Sequence, residues 1–148
     1  MKRSRLLLAV LAALVVAVAL AVPALAGAAT PNFGWFSGHD ADGSVKFHVY
    51  RSPSGTPYVD RAEFNPGDHD EFHRRSDFEL APVHSGGRFG TCSYERVNDV
   101  FSREYCMYGD FDAPDRASGK VVISISAVGQ RWPKPLGVFT WKAEQPSR

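Results

Sequence analysis

The chain has 148 residues, 44% of them hydrophobic and 12% aromatic, which suits one domain with a buried core and excludes wholesale disorder. Three of its 17 lysines and arginines lie in the first five positions, so 14 remain against 16 acidic residues, a net charge of −2. This weakly acidic remainder lacks the basic surface that binds nucleic acids or anionic membranes. We therefore expect no nucleic-acid partner, and no membrane partner once the leader described next is removed.

The first 26 residues form a predicted signal peptide. Lys2, Arg3 and Arg5 precede an unbroken apolar run of 17 residues, and a proline ends this run just before the small-x-small sequence Ala24-Leu25-Ala26. An uncleaved anchor is the alternative, because 17 apolar residues approach the length that spans a bilayer. We expect cleavage after Ala26 or a few residues later, export by the general secretory route, and a single secreted domain over residues 27–148.

The rest of the chain has the apolar periodicity of β-strands. Apolar and polar residues alternate with a period of two, and turn sequences rich in glycine, proline and asparagine separate the alternating segments. The predicted fold is therefore all-β: an antiparallel β-sandwich, immunoglobulin-like or jelly-roll-like, of about eight strands. The alternating segments are 45–50, 58–64 (less regular), 77–80, 88–96, 103–111, 121–127 and 138–142.

The two cysteines, Cys92 and Cys106, are predicted to form a disulfide, since an exported protein meets an oxidising compartment. If segments 88–96 and 103–111 form a hairpin, residues whose numbers sum to 198 face each other, and the cysteines satisfy this condition. Directly opposite residues on paired strands lie at a distance that a disulfide can bridge. The predicted role of the bond is to fix the register of this hairpin.

The order of short motifs resembles a family of small secreted β-sandwich domains that is common in actinobacteria and has no assigned activity. The resemblance covers roughly residues 33–143 and implies a fold and an extracellular setting, but no catalytic residues. Members often carry cysteines in the middle loop and before the last strand, where this chain has none. The matching motifs are Gly34-Trp35-Phe36-Ser37-Gly38, the segment 43–49, Gly87-Arg88-Phe89, Tyr108-Gly109-Asp110-Phe111, the segment 117–121 and the segment 137–143.

The middle loop is a candidate metal site. His69 and His73 are four residues apart, so on a helical turn both imidazoles could meet one zinc or copper ion, with Asp70 or Asp68 as a further ligand. The alternative is a solvated polar connection, which we favour, and we predict no cofactor. Two acidic groups are weaker candidates for an ion and are better explained as turns between strands: Asp40-Ala41-Asp42-Gly43, where the glycine would take a positive φ, and Asp110, Asp112 and Asp115.

No sequence feature indicates catalysis. The chain has no nucleophile elbow and no phosphate loop, and no pair of carboxylates stands out. Exposed aromatic side chains are the best indication of function, because flat rings stack on sugars or anchor protein partners. Tyr50 and Trp132 are predicted ligand contacts, whereas Trp35 and Trp141 are expected to fill the core or protect an edge.

The predicted function is therefore that of a secreted, non-catalytic protein that binds an extracellular glycan or protein at or outside the cell wall. A secreted metal-binding protein that uses loop 68–73 is one alternative, and an unrecognised hydrolase is another.

Overall fold

The computed structural model describes residues 29–40 and 43–147, and the predicted leader lies outside the described residues. All regular secondary structure within these residues is β-strand, as the period of two predicts. The strands are β1 (Gly34–Asp40), β2 (Gly43–Arg51), β3 (Pro57–Asn65), β4 (Ala81–Pro82), β5 (Arg88–Arg96), β6 (Phe101–Ala113), β7 (Arg116–Ala127) and β8 (Lys134–Glu144).

The eight strands form one antiparallel sheet in the order β4-β3-β2-β1-β8-β7-β6-β5. Consecutive strands pair with each other, except β4 and β5, and β1 also pairs with β8. The two edge strands, β4 and β5, are consecutive, and the segment before β4 lies along β5. There the Glu79 amide donates to the Cys92 carbonyl at 3.1 Å, and the Thr91 hydroxyl donates to the Glu79 carbonyl. The sheet is therefore nearly closed and barrel-like.

The antiparallel all-β class and the number of strands are confirmed. Segment 77–80 is not a strand, contrary to prediction, and the short strand β4 follows it. Segment 77–80 contacts β5 partly through side chains, and alternation of apolar and polar residues does not predict such contacts. Apart from β1 with β8, every pair joins strands that are consecutive in the chain, whereas immunoglobulin-like and jelly-roll sandwiches contain further crossovers. A flattening of the sheet into two facing layers stays a prediction.

Aromatic rings fill the centre of the sheet. The Phe47 ring lies 5.2 Å from that of Phe36 and 5.3 Å from that of Phe89. The Trp141 ring lies 5.7 Å from that of Phe47, so the prediction of a core role for this tryptophan is confirmed. An eight-stranded closed sheet has an interior just wide enough for side chains. The described interior is accordingly a packed core.

Two facing glycines make room for these rings. Gly109 of β6 lies opposite Gly119 of β7, and both point into the core. A Cβ atom on Gly109 would lie 2.5 Å from the Phe89 ring and 2.7 Å from the Trp141 ring. The glycines are therefore required for the close approach of two large side chains to the sheet.

A β-bulge explains the irregular alternation in β3. Arg61 and Ala62 both lie opposite Phe47 of β2, and Arg61 has a φ of 48°. Val59 and Ala62 both bury their side chains although they are three positions apart. The extra residue keeps both halves of β3 in register with the core and directs the Arg61 side chain outward.

The β5–β6 hairpin has the predicted register. Cys92 pairs with Cys106, and the disulfide between them is present. The bond closes a loop with a sequence separation of 14, which stabilises the fold by about 3 kcal/mol in the loop-entropy model. The disulfide prediction is therefore confirmed.

The connection 66–80, here called the cap loop, packs against the core and β5–β6. Its Phe72 ring lies edge-on, 5.5 Å from the buried Phe139 ring. Its Arg75 exchanges two backbone hydrogen bonds of 2.8 Å with Phe64, just before the end of β3. The loop is therefore held in place by packing and by backbone pairing.

Candidate ligand-binding face

The outward side of β1, β2 and β3 carries a concentration of aromatic and charged side chains, here called the β1–β3 face. Strand register sets its layout, because Trp35 pairs with His48 and His48 pairs with Asp60 across three strands. The next cross-strand pair of β2 and β3 is Tyr50 with Tyr58. The members of the β1–β3 face are Phe33, Trp35, Lys46, His48, Tyr50, Arg51, Tyr58, Asp60, Arg61 and Glu63.

Trp35 is the centre of this face. The Lys46 ammonium lies 4.4 Å and the Arg61 guanidinium 4.8 Å from the centroid of its ring. Both contacts are cation–π interactions, which stabilise by about 0.5–1 kcal/mol at exposed sites. Because the bulge directs Arg61 outward, an irregularity of the backbone creates one of the two contacts. Trp35 therefore does not fill the core, which corrects one of the two roles expected for it.

A polar group adjoins the tryptophan. The His48 Nδ1 atom lies 2.8 Å from Asp60 Oδ1 and 2.6 Å from Arg61 Nη2. A carboxylate only accepts and a guanidinium only donates, so Nδ1 serves one of these partners at a time. The Arg61 Nε atom also lies 3.3 Å from Asp60 Oδ2. The group therefore has more donors and acceptors than it can pair internally, which leaves hydrogen-bonding capacity for a ligand.

Two tyrosines continue the face. The rings of Tyr50 and Tyr58 are stacked, with centroids 5.8 Å apart and planes 29° apart. Both side chains are half-buried, so each also presents part of its surface to solvent. The Arg51 guanidinium lies 4.7 Å from the centroid of the Phe33 ring. The predicted ligand contact Tyr50 thus lies within a cluster of rings and cations.

Two concave surfaces border the face. An open groove beside Trp35 is lined by Asn32, Phe33, Asp115 and Gln145 among others. A second hollow is lined by Ser44, Lys46, Glu63, Asn65 and Arg74, and in it the Arg74 Nη2 atom donates to Glu63 at 2.7 Å. Both hollows share residues with the face, so a ligand on Trp35 or Lys46 would extend into them.

The other predicted ligand contact, Trp132, lies elsewhere. It is 80% exposed, in the connection between β7 and β8, as the sequence predicts. Glu144, at the far end of β8, pairs with Ser37 of β1, so β8 begins beyond the end of β1. Tyr50 lies beyond the beginning of β1. The structure therefore places the two predicted contacts at opposite ends of the sheet, where they cannot share a small ligand.

The cap loop uses its histidines for packing and pairing. The His73 Nδ1 atom lies 2.5 Å from Glu95 Oε1, and the His69 ring lies edge-on, 5.1 Å from the Phe139 ring. Asp70 is exposed. Across residues 29–40 and 43–147, the one convergent group of metal-ligand atoms is that of Cys92, Glu104 and Cys106, whose sulfur atoms are joined in the disulfide. The described geometry does not bring His69, His73 and Asp70 to one point, and the metal-binding alternative for this loop stays untested.

The other predicted acidic groups are dispersed. Asp110 pairs with Arg88 at 3.1 Å, and Asp112 accepts a hydrogen bond of 2.8 Å from Ser118. Asp115 lies 3.9 Å from Arg116. Each of the three carboxylates therefore faces a different partner. The calcium-like segment 40–43 lies partly outside the described residues, while Gly43 has the predicted positive φ, 139°.

A half-buried charged network connects the cap loop to β5 and β6. The Glu95 carboxylate accepts hydrogen bonds from Tyr105 Oη at 3.1 Å and from Arg103 Nη1 at 3.3 Å, besides its contact with His73. Burial raises the pKa of Glu95, but hydrogen bonds from His73 and Tyr105 and the charges of His73 and Arg103 outweigh burial. The pKa therefore lies below its ordinary value of 4.5. The network holds the cap loop against β5 and β6.

Asp77 makes a second anchor of the same kind. Ser93 donates to Asp77 Oδ1 and Arg75 donates to Asp77 Oδ2, each at 2.5 Å. Burial alone would raise the pKa of Asp77, but these hydrogen bonds and the charge of Arg75 hold it below 3.8. Arg75 also donates to the Tyr94 carbonyl at 2.8 Å. Both anchors depend on contacts between distant segments, so no sequence pattern predicted them.

No family model, curated protein or solved structure matches the chain. The resemblance to secreted actinobacterial domains accordingly stays a prediction. Within the part of the chain that the structure describes, no helix is long and apolar enough to cross a membrane.

Proposed function

We propose that the chain is an exported, non-catalytic domain that binds an extracellular glycan through the β1–β3 face. In this proposal residues 27–148 act at or outside the cell wall, and the nearly closed sheet is flattened so that two layers face each other. The observation that carries the proposal is the outward row of rings on adjacent strands, Trp35 and the stacked pair Tyr50 and Tyr58, interspersed with paired charges.

This arrangement suits the chemistry of a sugar. A pyranose presents a flat face of C–H groups and a rim of hydroxyl groups, so it needs an aromatic surface and nearby donors and acceptors. The tyrosine pair supplies the surface, and His48, Asp60 and Arg61 supply the polar groups. Strands rather than a mobile loop carry these residues, which lowers the entropy lost on binding.

The carboxylates of the face support binding rather than hydrolysis. Asp60 is engaged by His48 and Arg61, and Glu63 is engaged by Arg74. Glycoside hydrolysis needs one carboxyl group that holds a proton and a second that acts as nucleophile or base. Asp60 and Glu63 are each paired with cationic side chains instead, an arrangement that suits them to orienting a ligand through hydrogen bonds.

The test measures binding of residues 27–148, which contain every described strand, to a panel of soluble cell-wall and plant glycans by thermal shift and then by calorimetry. We expect one glycan class to raise the melting temperature, because a ligand that binds only the folded state stabilises it by mass action. Replacing Tyr50 or Tyr58 with alanine should weaken that binding by about tenfold or more, as loss of a central aromatic contact does.

The matched control is Tyr94→Ala. Tyr94 is an exposed tyrosine on the outward side of β5, which pairs with β6 and not with β1, β2 or β3. Its replacement should leave glycan affinity unchanged. The proposal is wrong if no glycan of the panel binds, or if Tyr94→Ala weakens binding as much as Tyr50→Ala does. Binding that is lost only in Trp132→Ala would move the site to the other end of the sheet.

A further inference from the structure

The connections β5–β6 and β7–β8 together present a cluster of exposed apolar side chains at one end of the sheet, here called the apolar tip. Val128 is 82% exposed and Trp132 80% exposed, the two highest values among the large hydrophobic residues of the described chain. None of the residues of this cluster belongs to the β1–β3 face. The members of the tip are Val97, Val100, Phe101, Val128 and Trp132.

The two connections form one surface. The Val128 amide donates to the Val100 carbonyl at 2.9 Å, and Phe101 pairs with Ala127 in the sheet. The two connections therefore lie next to each other at this end of the sheet, and both carry exposed apolar side chains. A contiguous exposed apolar cluster indicates an interaction surface, whereas single exposed residues do not.

Backbone polar groups of the tip are largely satisfied within the tip itself. The Asn98 side-chain oxygen accepts from the amides of Val100 and Phe101, both at 2.8 Å. The Val97 amide donates to the Phe101 carbonyl at 3.0 Å, and the Gln130 amide donates to the Ala127 carbonyl at 3.0 Å. Pairing of this kind lowers the cost of moving a turn out of water, because unpaired amides are expensive in an apolar medium.

The charges around the tip are mainly positive. Arg131 and Lys134 are exposed beside Trp132. Arg96 lies at the end of β5 and pairs with Asp99 at 2.6 Å. The tip therefore has a positive excess, although residues 27–148 carry a net charge of −2. Basic side chains flanking an apolar cluster attract anionic lipid headgroups.

From these observations we infer that the apolar tip inserts into the headgroup region of an anionic lipid bilayer. Tryptophan prefers the membrane interface, where its ring is apolar and its N–H stays hydrated, and the flanking cations complement the headgroups. The tip is formed by two connections between strands, and a soft surface can accommodate such projecting side chains without a shaped partner. This inference differs from the expectation of no membrane partner, which rested on total charge rather than on its distribution.

The inference is independent of the glycan proposal. The tip and Tyr50 lie at opposite ends of the sheet. A chain bound to a bilayer through the tip would therefore hold the tyrosine pair away from the membrane, where a glycan can reach it.

The test is flotation of residues 27–148 with vesicles of phosphatidylcholine alone and with vesicles that contain about 30% phosphatidylglycerol, a surface that attracts basic segments. We expect binding to the anionic vesicles, a blue shift of tryptophan emission on binding, and release at high salt. Trp132→Ala should reduce the bound fraction at least fivefold and abolish the blue shift. Arg131→Gln with Lys134→Gln should reduce binding to anionic vesicles and remove its salt dependence.

The control is Leu80→Ala, which removes another exposed apolar side chain away from the tip. It should keep vesicle binding within twofold of the parent chain. Melting curves establish that each variant folds, and Val128→Ser provides a second test of the tip if Trp132→Ala does not fold. The inference is overturned if the parent chain does not bind anionic vesicles, or if Leu80→Ala and Trp132→Ala reduce binding equally. Loss of a protein partner in Trp132→Ala without vesicle binding would also overturn it.

Discussion

Replacing Gly109 with alanine tests the account of the core most directly. The added Cβ atom would lie 2.5 and 2.6 Å from two atoms of the Phe89 ring and 2.7 Å from the Trp141 ring. Both rings are almost fully buried, so they cannot move into solvent as the end of a flexible surface chain does. Ordinary contacts begin at 3.4 Å, so each ring must be displaced within a packed interior.

The magnitude follows from overpacking. Forcing one methyl group into a packed core costs about 1–3 kcal/mol, and two displaced rings place this site near the upper half of that range. Alanine also restricts the unfolded chain, which offsets about 0.4–1 kcal/mol. We therefore expect a net loss of about 2 kcal/mol, which lowers the melting temperature by about 8 °C for a domain of this size.

Thermal and urea unfolding of the oxidised protein, followed by circular dichroism, measure this change. The matched control is Gly86→Ala, because a Cβ at Gly86 meets no atom within 4 Å and its backbone is not among the positive-φ glycines. The control reports the unfolded-state effect alone and should be neutral or slightly stabilising. If Gly109→Ala is as stable as Gly86→Ala, the rings do not need the space and the described packing is incorrect.

Three further predictions concern contacts between distant segments. The depressed pKa of Glu95 contributes stability that is complete above about pH 4.5 and is lost as the pH falls through the folded-state pKa. The parent chain and Glu95→Gln are unfolded in urea, and the difference between their free energies of unfolding should shrink as the pH falls from about 7 to about 3. A difference that stays constant would contradict this assignment. Replacing both Cys92 and Cys106 with serine should lower the free energy of unfolding by about 3 kcal/mol. An unchanged urea midpoint would contradict the stabilising effect of the disulfide. Tyr105→Phe removes the acceptor of the His73 amide and should speed hydrogen exchange at that amide, whereas unchanged protection would show that the contact does not hold the loop.

Patterns along single strands were readable from the sequence. Alternation of apolar and polar residues predicted β2, β3, β5, β6, β7 and β8, because successive side chains on a strand point to opposite sides of the sheet. The sum rule for the β5–β6 hairpin predicted that Cys92 and Cys106 face each other, because hairpin register depends on a short local turn. Segment 77–80 was the exception, since alternation alone does not show whether a strand has a backbone partner.

The candidate face was predicted only in part. Tyr50 was identified because it lies on the side of β2 opposite the buried valines. Trp35 was expected in the core or at an edge, and the signal that it points outward is its position next to Phe36, which is fully buried. The contact between Trp35 and Arg61 depends on a bulge in β3, and the irregular alternation of that strand was its only trace in the sequence.

The sequence by itself determined the strand class, the hairpin register and the pairing of the cysteines, because these depend on neighbours a few residues apart. Only the tertiary structure decided that β1 pairs with β8 and that the cap loop is anchored to β5 and β6. It also separated Tyr50 from Trp132 and joined two loops into the apolar tip. These features depend on how a twisted sheet curves back on itself. Contacts between distant segments form only when the whole core packs.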